Sequence, residues 1–512
     1  MMSTFKGGEN LKNPLHILWS VREKRLTIHK ISQILMLSNK QVVRKLKQWD
    51  SEGWITYTPG KGRGNISTID WRRNLEEHLI QELGSAFTLQ KFHALNELDL
   101  KCFSESFHQK TVELLINRLS LIQQEKYPTL NIPIYGKRPI LHPHKFHDTE
   151  SGWILSCLYS RIVIKNELNE FEGDIVHHWK NIDHKFIFYI RPRVYWHDGE
   201  IVTVDEVIQS IQSTFLLPRY FLFAEKVVNI SIESSRSFSI EYRGEEAELL
   251  LLLSQIDFSI YHPLKENIGT GAYRVEMTKE SLLQLNFHPK YHLAQAFIDQ
   301  IQFITIPSTL QRKMEWSIQQ KNHQLQVYNE FSGIVSAYLN PLSKVLQKVG
   351  IREYIISFLK NFSILVGQTD SLKVPFMKEY PLLDKPEQIN HLKIGYIVNQ
   401  TKFIEALNNC CKKHNLDVEI IKYNIDQENH VMSIFERVDV LIMGEFPTRM
   451  ELFPTLKYDP HHPFSLILDP NEEEKWFCRL YESFRKISYP YGFIRSRTSI
   501  YGYPDLSRSW IC

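Results

Sequence analysis

The chain has little of what marks a secreted, membrane-spanning or redox-active protein. Its 512 residues hold six cysteines, at 102, 157, 410, 411, 478 and 512. They are scattered, with no CxxC pair and no disulfide-like spacing, so free thiols are expected. The most apolar short run, Leu249 to Leu253, is far shorter than the ~20 residues a membrane helix needs. The opening stretch before Leu15 lacks the apolar core and small-residue cleavage site of a signal peptide, so a cytoplasmic address and no membrane partner are expected. Phosphate-binding loops, dinucleotide glycine fingerprints, HExxH zinc motifs and nucleophile elbows are also missing. The many carboxylates fall into no recognisable acid/base pair. Neither enzymatic activity nor a cofactor is expected.

What the chain does have is asymmetric charge. Residues 1–74 carry 14 Lys/Arg and 5 Asp/Glu, a net of +9, whereas the remainder nets −6. A polyanion partner for the head, and none for the body, follows from that split. The length implies two to four domains. A composition 43% hydrophobic and 23% charged supplies enough apolar material for their cores.

The head has helical punctuation. A first helix is expected from about Pro14 to Lys24, with Leu15, Leu18 and Trp19 at helical spacing. Thr27 can cap a second helix with Ile28, Ile31 and Leu35 inward, and Met36–Leu37 make a turn. Ser38 can cap a third helix from Asn39 to about Glu52, with Val42, Leu46 and Trp49 forming the core stripe. Asn39, Lys40, Gln41, Arg44, Lys45 and Lys47 then point away from that stripe. Gly53 suits a left-handed helix end. Residues 54–57 and 66–71 read as strands around a cationic tip at Pro59–Asn65. This segment resembles the winged helix-turn-helix family. The resemblance implies a recognition helix in the major groove, where amide and basic side chains read base edges, and a wing on phosphate. The implied DNA contacts are Ser38, Asn39, Lys40, Gln41, Arg44, Lys45, Lys61 and Arg63.

Residues 75–130 read as a helical connector. Leu75, Leu79, Leu83 and Phe87 form one stripe, and Leu114, Leu115, Leu119 and Ile122 another.

From about residue 131 the patterns change. Phe186, Phe188 and Ile190 alternate along a strand, Asp198–Gly199 is a turn pair, and Thr203 to Glu206 is a capping box. Trp196 and His197 are read as braces for that turn. Leu141-His142-Pro143, Tyr159, the Phe186 to Ile211 segment, Gly269 to Val275, Asn286 to Tyr291, and Ala337 to Asn340 followed by Gly350 to Arg352 together resemble the extracytoplasmic solute-binding proteins of the peptide, nickel and opine class. That resemblance implies a two-lobed α/β fold of type II periplasmic-binding-protein kind. One lobe would comprise about 131–339 and 460–512, the other about 340–459. Matched positions put Tyr159, Asn340, Glu445 and Arg449 at the ligand cleft. The segment Met443 to Arg449 departs from the peptide-binding members, lacking their Trp and Asp-Tyr-type sequence. The histidines at 142, 144 and 147, and the pairs at 177–178 and 461–462, sit in predicted loops without a converging ligand set, and no metal is expected.

A winged-helix head joined to such a body resembles the SgrR-type transcriptional regulators. The resemblance implies a cytosolic regulator whose partners are double-stranded promoter DNA and a small molecule, a sugar phosphate being one class, with RNA polymerase a further candidate. The alternative is a receptor for an ABC importer of the peptide/nickel class.

Overall fold

The computed structural model describes residues 13–60, 66–119, 129–317 (apart from 137, 147, 167–169, 218–219, 294–295, 297, 312 and 315), 325–367, 372–373, 382–386, 389, 391–397, 401–423, 434, 436–445, 476–490, 493–494 and 510–511.

The head folds as α1 (Pro14–Val21), β1 (Arg25–Leu26), α2 (Ile28–Leu35), α3 (Asn39–Ser51), β2 (Ile55–Thr58) and β3 (Ser67–Trp71). Asn13 caps α1 through a bond from the Leu15 amide. The helix stops at Val21, short of the expected Lys24, because Arg22 turns left-handed at φ 53°. Thr27 caps α2, and Met36 ends it at φ 53°. A reciprocal Ser38–Gln41 box opens α3, and Gly53 follows it at φ 78°. The strands pair antiparallel in the order β1-β3-β2, which is a winged helix. Leu18, Leu26, Ile31, Leu35, Val42, Leu46, Trp49, Ile55 and Ile69 fill its interior.

The connector comprises α4 (Leu75–Thr88), two 3-10 turns at Phe92–Leu95 and Leu100–Cys102, and α5 (Glu105–Leu119). Its apolar stripe shares one core with the head. The same core takes in Leu282, Ile304, Ile306, Leu310 and Met314 from the body.

Among the described residues the body contains three sheets of four or more strands. The first runs β11-β12-β13-β4, built from Tyr273–Lys279, Leu282–Phe287, Gln300–Ile306 and Thr129–Tyr135. β13 and β4 are parallel and the other neighbours antiparallel. Helix α6 (Thr149–Leu158) covers one face through Trp153, Ile154 and Leu158 against Leu285, Ile301 and Phe303. The second sheet is antiparallel, β7-β8-β10-β9, from Val176–Ile182, Lys185–Ile190, Ser237–Tyr242 and Val227–Ser234. Helix α7 (Val204–Phe215) packs on it, and the short hairpin β5–β6 (Val163–Lys165, Phe171–Gly173) precedes it. The third sheet runs β15-β19-β14-β18-β16-β17, from Leu372–Lys373, Phe477–Pro490, Leu325–Leu339, Val440–Glu445, Leu392–Tyr396 and Val418–Lys422. Strands β14 and β19, placed by sequence in the first lobe, pair along most of their length, and Ile334–Leu339 of β14 also pairs with β18. Helices Val349–Gly367 and Thr401–Lys413 supply this unit's core.

Candidate nucleic-acid interface and ligand-sensing body

Helix α3 buries Val42, Leu46 and Trp49. That burial leaves Ser38, Asn39, Lys40, Gln41, Arg44 and Lys47 exposed, with Lys45 half-buried. The structure therefore brings the expected recognition residues onto one helix. Two of them hold the helix as well. The Gln41 carboxamide accepts from the Ser38 amide at 2.9 Å and from its hydroxyl at 2.8 Å, while the Gln41 amide donates to Ser38 Oγ at 3.4 Å. Lys45 Nζ donates to Gln48 at 3.3 Å. Among the described residues, Lys40, Arg44 and Lys47 form no ion pair, so their charges stay available to a polyanion. The remaining two expected contacts, Lys61 and Arg63, lie outside the described residues. Behind α3, Arg72 bonds Asp50 at 3.1 Å and Thr56 at 2.7 Å, which ties the helix to the strand pair.

Sequence reasoning missed the junction that fixes this head. Glu76, in the first turn of α4, accepts from Trp19 Nε1 (3.1 Å), Arg22 (2.9 Å) and the Ser104 amide (2.9 Å) on one oxygen, and from the Ser104 hydroxyl (2.5 Å) on the other. Burial favours the neutral acid here. The bonds from Ser104 and Trp19, with Arg22, outweigh it and hold the carboxyl below the usual value. One carboxylate thus joins α1, α4 and α5. The sequence signal was an acidic residue two places after the capping Asn74, which is satisfied by the helix dipole alone and gives no hint of the distant donors. The connector is in turn fixed to the body. Asn96 Nδ2 donates to Ser281 Oγ at 2.7 Å, Gln109 donates to Ser317 at 3.3 Å, and Lys313 pairs with Glu105.

In the body, Tyr159 is buried and its hydroxyl donates to the Leu141 carbonyl at 3.1 Å. Burial raises its pKa. The Gly269–Gly271 segment lies on top of it: a Cβ on Gly269 would stand 2.3 Å from the Leu158 oxygen and 2.5 Å from the Tyr159 ring. The glycines permit close strand-to-helix contact, and Tyr159 anchors the loop at Leu141. Asn340 is also buried. It donates to the Val438 carbonyl at 2.9 Å and accepts from the Leu342 amide at 2.9 Å, turning the chain at the end of β14. The two residues expected at the cleft therefore have their side-chain bonds to the protein itself and brace the fold. Glu445 ends β18, and Arg449 lies outside the described residues.

Trp196 and His197 do brace the turn. Trp196 donates to Glu206 at 3.3 Å, and His197 Nδ1 accepts from the Gly269 amide at 3.1 Å. Burial pushes the His197 pKa down to about 3. His142 and His144 stack edge-on or tilted against Tyr261, with centroids 5.2–5.6 Å apart. His144 Nε2 also reaches Thr214 and the Asp257 carbonyl, both at 3.1 Å. Among the described residues no three His, Cys, Asp or Glu side chains are arranged to hold a metal; His147, His461 and His462 lie outside them. A buried contact not anticipated from sequence is His292 with Asp174 at 3.3 Å, where Asp174 also accepts from the Arg161 amide at 2.8 Å.

These features define a winged-helix module built onto a solute-binding-type α/β body. Comparison with known proteins agrees on both halves. Residues 170–358 match the bacterial extracellular solute-binding proteins, family 5 middle domain, and residues 15–113 match the sugar transport-related sRNA regulator N-terminal domain. The chain thus matches one family model across the head and connector and another across part of the body. It is 24% identical over 312 residues to the HTH-type transcriptional regulator SgrR of Escherichia coli K12, covering 57% of this chain and 53% of that one. It is 21% identical over 324 residues to the uncharacterized protein YbaE of the same strain, covering 62% and 56%. The SgrR of Photorhabdus laumondii is 21% identical over 411 residues, covering 73% and 70%. The chain spans little more than half the length of the two Escherichia coli relatives. Among solved structures, the dipeptide-binding protein of Pseudoalteromonas sp. SM9913 with Met-Leu superposes at TM-score 0.59 with 14% identity, covering 75% of this chain and all of that one. NikZ of Campylobacter jejuni with Ni(L-His) gives 0.57 and 14%, covering 75% and 99%.

Proposed function

We propose that the protein is a cytosolic, ligand-responsive transcriptional regulator that binds double-stranded promoter DNA through α3 and the wing. The single observation that carries this reading is the unpaired basic face of α3 on a head whose core continues into a solute-binding-type body. The importer reading leaves that head without a task. RNA polymerase, a candidate from the SgrR-type resemblance, is a further partner to test at the promoter.

The geometry suggests how a ligand signal reaches the DNA. Tyr135, the last residue of β4, packs against the connector's core. The next residue, Gly136 at φ 94°, turns the chain into the loop that carries Leu141, His142 and His144. That loop holds Tyr159 through the Leu141 carbonyl, and Tyr159 is one of the four residues expected at the cleft, with Asn340, Glu445 and Arg449. A ligand that favours one arrangement of the two units shifts the population by its differential affinity. A sugar phosphate is the class to screen first, because the SgrR-type resemblance implies it and the matched N-terminal family is described as sugar transport-related.

The test is a gel-shift titration on DNA upstream of the protein's own coding region. Replacing Arg44 and Arg63 by Ala should weaken binding and lower the slope of log affinity against log salt by about two. Unchanged affinity and slope would remove the DNA-binding assignment.

A further inference from the structure

The face of the first sheet that docks the connector changes character along its length. At one end, Leu282, Ile304 and Ile306 meet the connector. Beyond them, side chains on the same face become amides: Gln284 and Asn286 on β12, Gln300 and Gln302 on β13, with Asn131 and Thr129 on β4. All but Asn131, whose Oδ1 is buried without a partner, form a bonded row. Thr129 Oγ1 donates to Gln300 Oε1 at 3.2 Å, and Gln300 Nε2 donates to Asn286 Oδ1 at 3.1 Å. Gln284 Nε2 donates to the same Asn286 oxygen at 3.3 Å. With its oxygen taken twice, Asn286 keeps its NH2 group for another acceptor.

The row ends in a cavity of about 390 Å³, lined among others by Arg274, Asn286, Phe287, Tyr291, Asp299 and Gln300. Its charges are opposite and, among the described residues, not paired with each other. Arg274 has a long ion pair with Glu276 at 3.9 Å, and its Nε is buried without a hydrogen-bond partner. Among the described residues Asp299 makes no ion pair. Arg274 stands across from Asn286, and Asn286 across from Gln300. Two inter-strand steps, roughly 10 Å, therefore separate the backbone carrying the cation from that carrying the anion. The lining also holds two aromatic rings, Phe287 and Tyr291. The cavity is not the expected cleft: it sits beside Thr129, at the start of β4, and the loop that holds Tyr159 leaves the other end of that strand, roughly 20 Å away.

A lone anion here would face Asp299, and a lone cation would face Arg274. A ligand carrying both charges satisfies both. We propose that this cavity is a second small-molecule site for a zwitterion of the amino-acid class, its carboxylate on Arg274 and Asn286, its ammonium on Asp299, and an apolar side chain against Phe287 and Tyr291. The assignment stands independently of DNA binding.

The test is isothermal titration of the full chain with L-phenylalanine, repeated with L-leucine and L-methionine. L-phenylalaninamide lacks the carboxylate and N-acetyl-L-phenylalanine lacks the ammonium; each should bind at least tenfold more weakly. Arg274→Gln and Asp299→Asn should each weaken phenylalanine binding at least tenfold without lowering the melting temperature of the unliganded chain. The two ligand analogues keep the question answerable if a variant folds poorly. Absence of binding by all three amino acids would overturn the proposal. So would binding that survives both variants, which places the ligand elsewhere, or loss in one variant only, which removes the two-charge recognition.

Discussion

His16 sits on the inner face of α1 with its ring 5.3 Å from Phe103 of the connector, and it is 6% exposed. Its Nδ1 is buried without a hydrogen-bond partner. Burial pushes its pKa from 6.5 down to about 4, against a smaller opposing pull from Asp99. The folded protein therefore holds His16 neutral where the unfolded chain already binds a proton. Above pH 6.5 the residue is neutral in both states and contributes no pH dependence. Between 6.5 and about 4 the unfolded state gains the proton first, so stability falls as pH falls. At about pH 5 the loss should be on the order of 2 kcal/mol. Urea unfolding near neutral pH and near pH 5 should show His16→Leu losing less stability than the parent chain by about that amount. An equal loss in both chains would remove His16 as the cause. Glu76, bonded to Trp19 of the same helix as His16, carries the opposite requirement: it must stay ionised to hold its four donors.

At the scale of an element, α3 shows how one residue can serve the fold and the site together. Ser38 begins the helix and also stands on its exposed face. Ser38→Ala should cost about 1 kcal/mol of stability through the lost cap. Ser38→Asp should keep the cap and the stability, yet weaken DNA binding, because its charge would face phosphate. Thermal unfolding and a gel shift on both variants separate the roles; DNA affinity equal in the Asp variant and the parent would take Ser38 off the interface. This helix was legible in the sequence because its signals are local: a cap, a 3.6-residue stripe and a terminal glycine. The same holds for the turn at Asp198–Gly199 and the box at Thr203–Glu206. Legibility ended where partners are distant. Tyr159 and Asn340 occupy matched positions, but what they do is decided by Leu141, Gly269 and Val438, up to 110 residues away. The pairing of β14 with β19 joins segments about 150 residues apart, and no local pattern records it.

Across the whole molecule, the placement of Ile304 matters most for how a signal could travel. It is 1% exposed and lies in the core that contains Trp19, Leu46, Phe87 and Phe107. A head tethered by a flexible linker would share no core with the body; this one reaches it through the connector. Cutting the chain at residue 130 to study the body alone would bare Leu282, Ile304, Ile306, Leu310 and Met314 to water, so ligand screens belong on the full chain. The shared core also predicts shared stability. Ile304→Ala leaves a cavity costing about 2–5 kcal/mol, at a position in β13 rather than in the head. If head, connector and first sheet open as one cooperative unit, hydrogen-exchange protection should fall together in α1–α3, in α4–α5 and in β12–β13. Protection lost in β13 with α1–α3 unchanged would mean that the head is stabilised on its own. Coupling of ligand to DNA would then have to run through a hinge in the connector and not through the packed interface at Asn96 and Ser281.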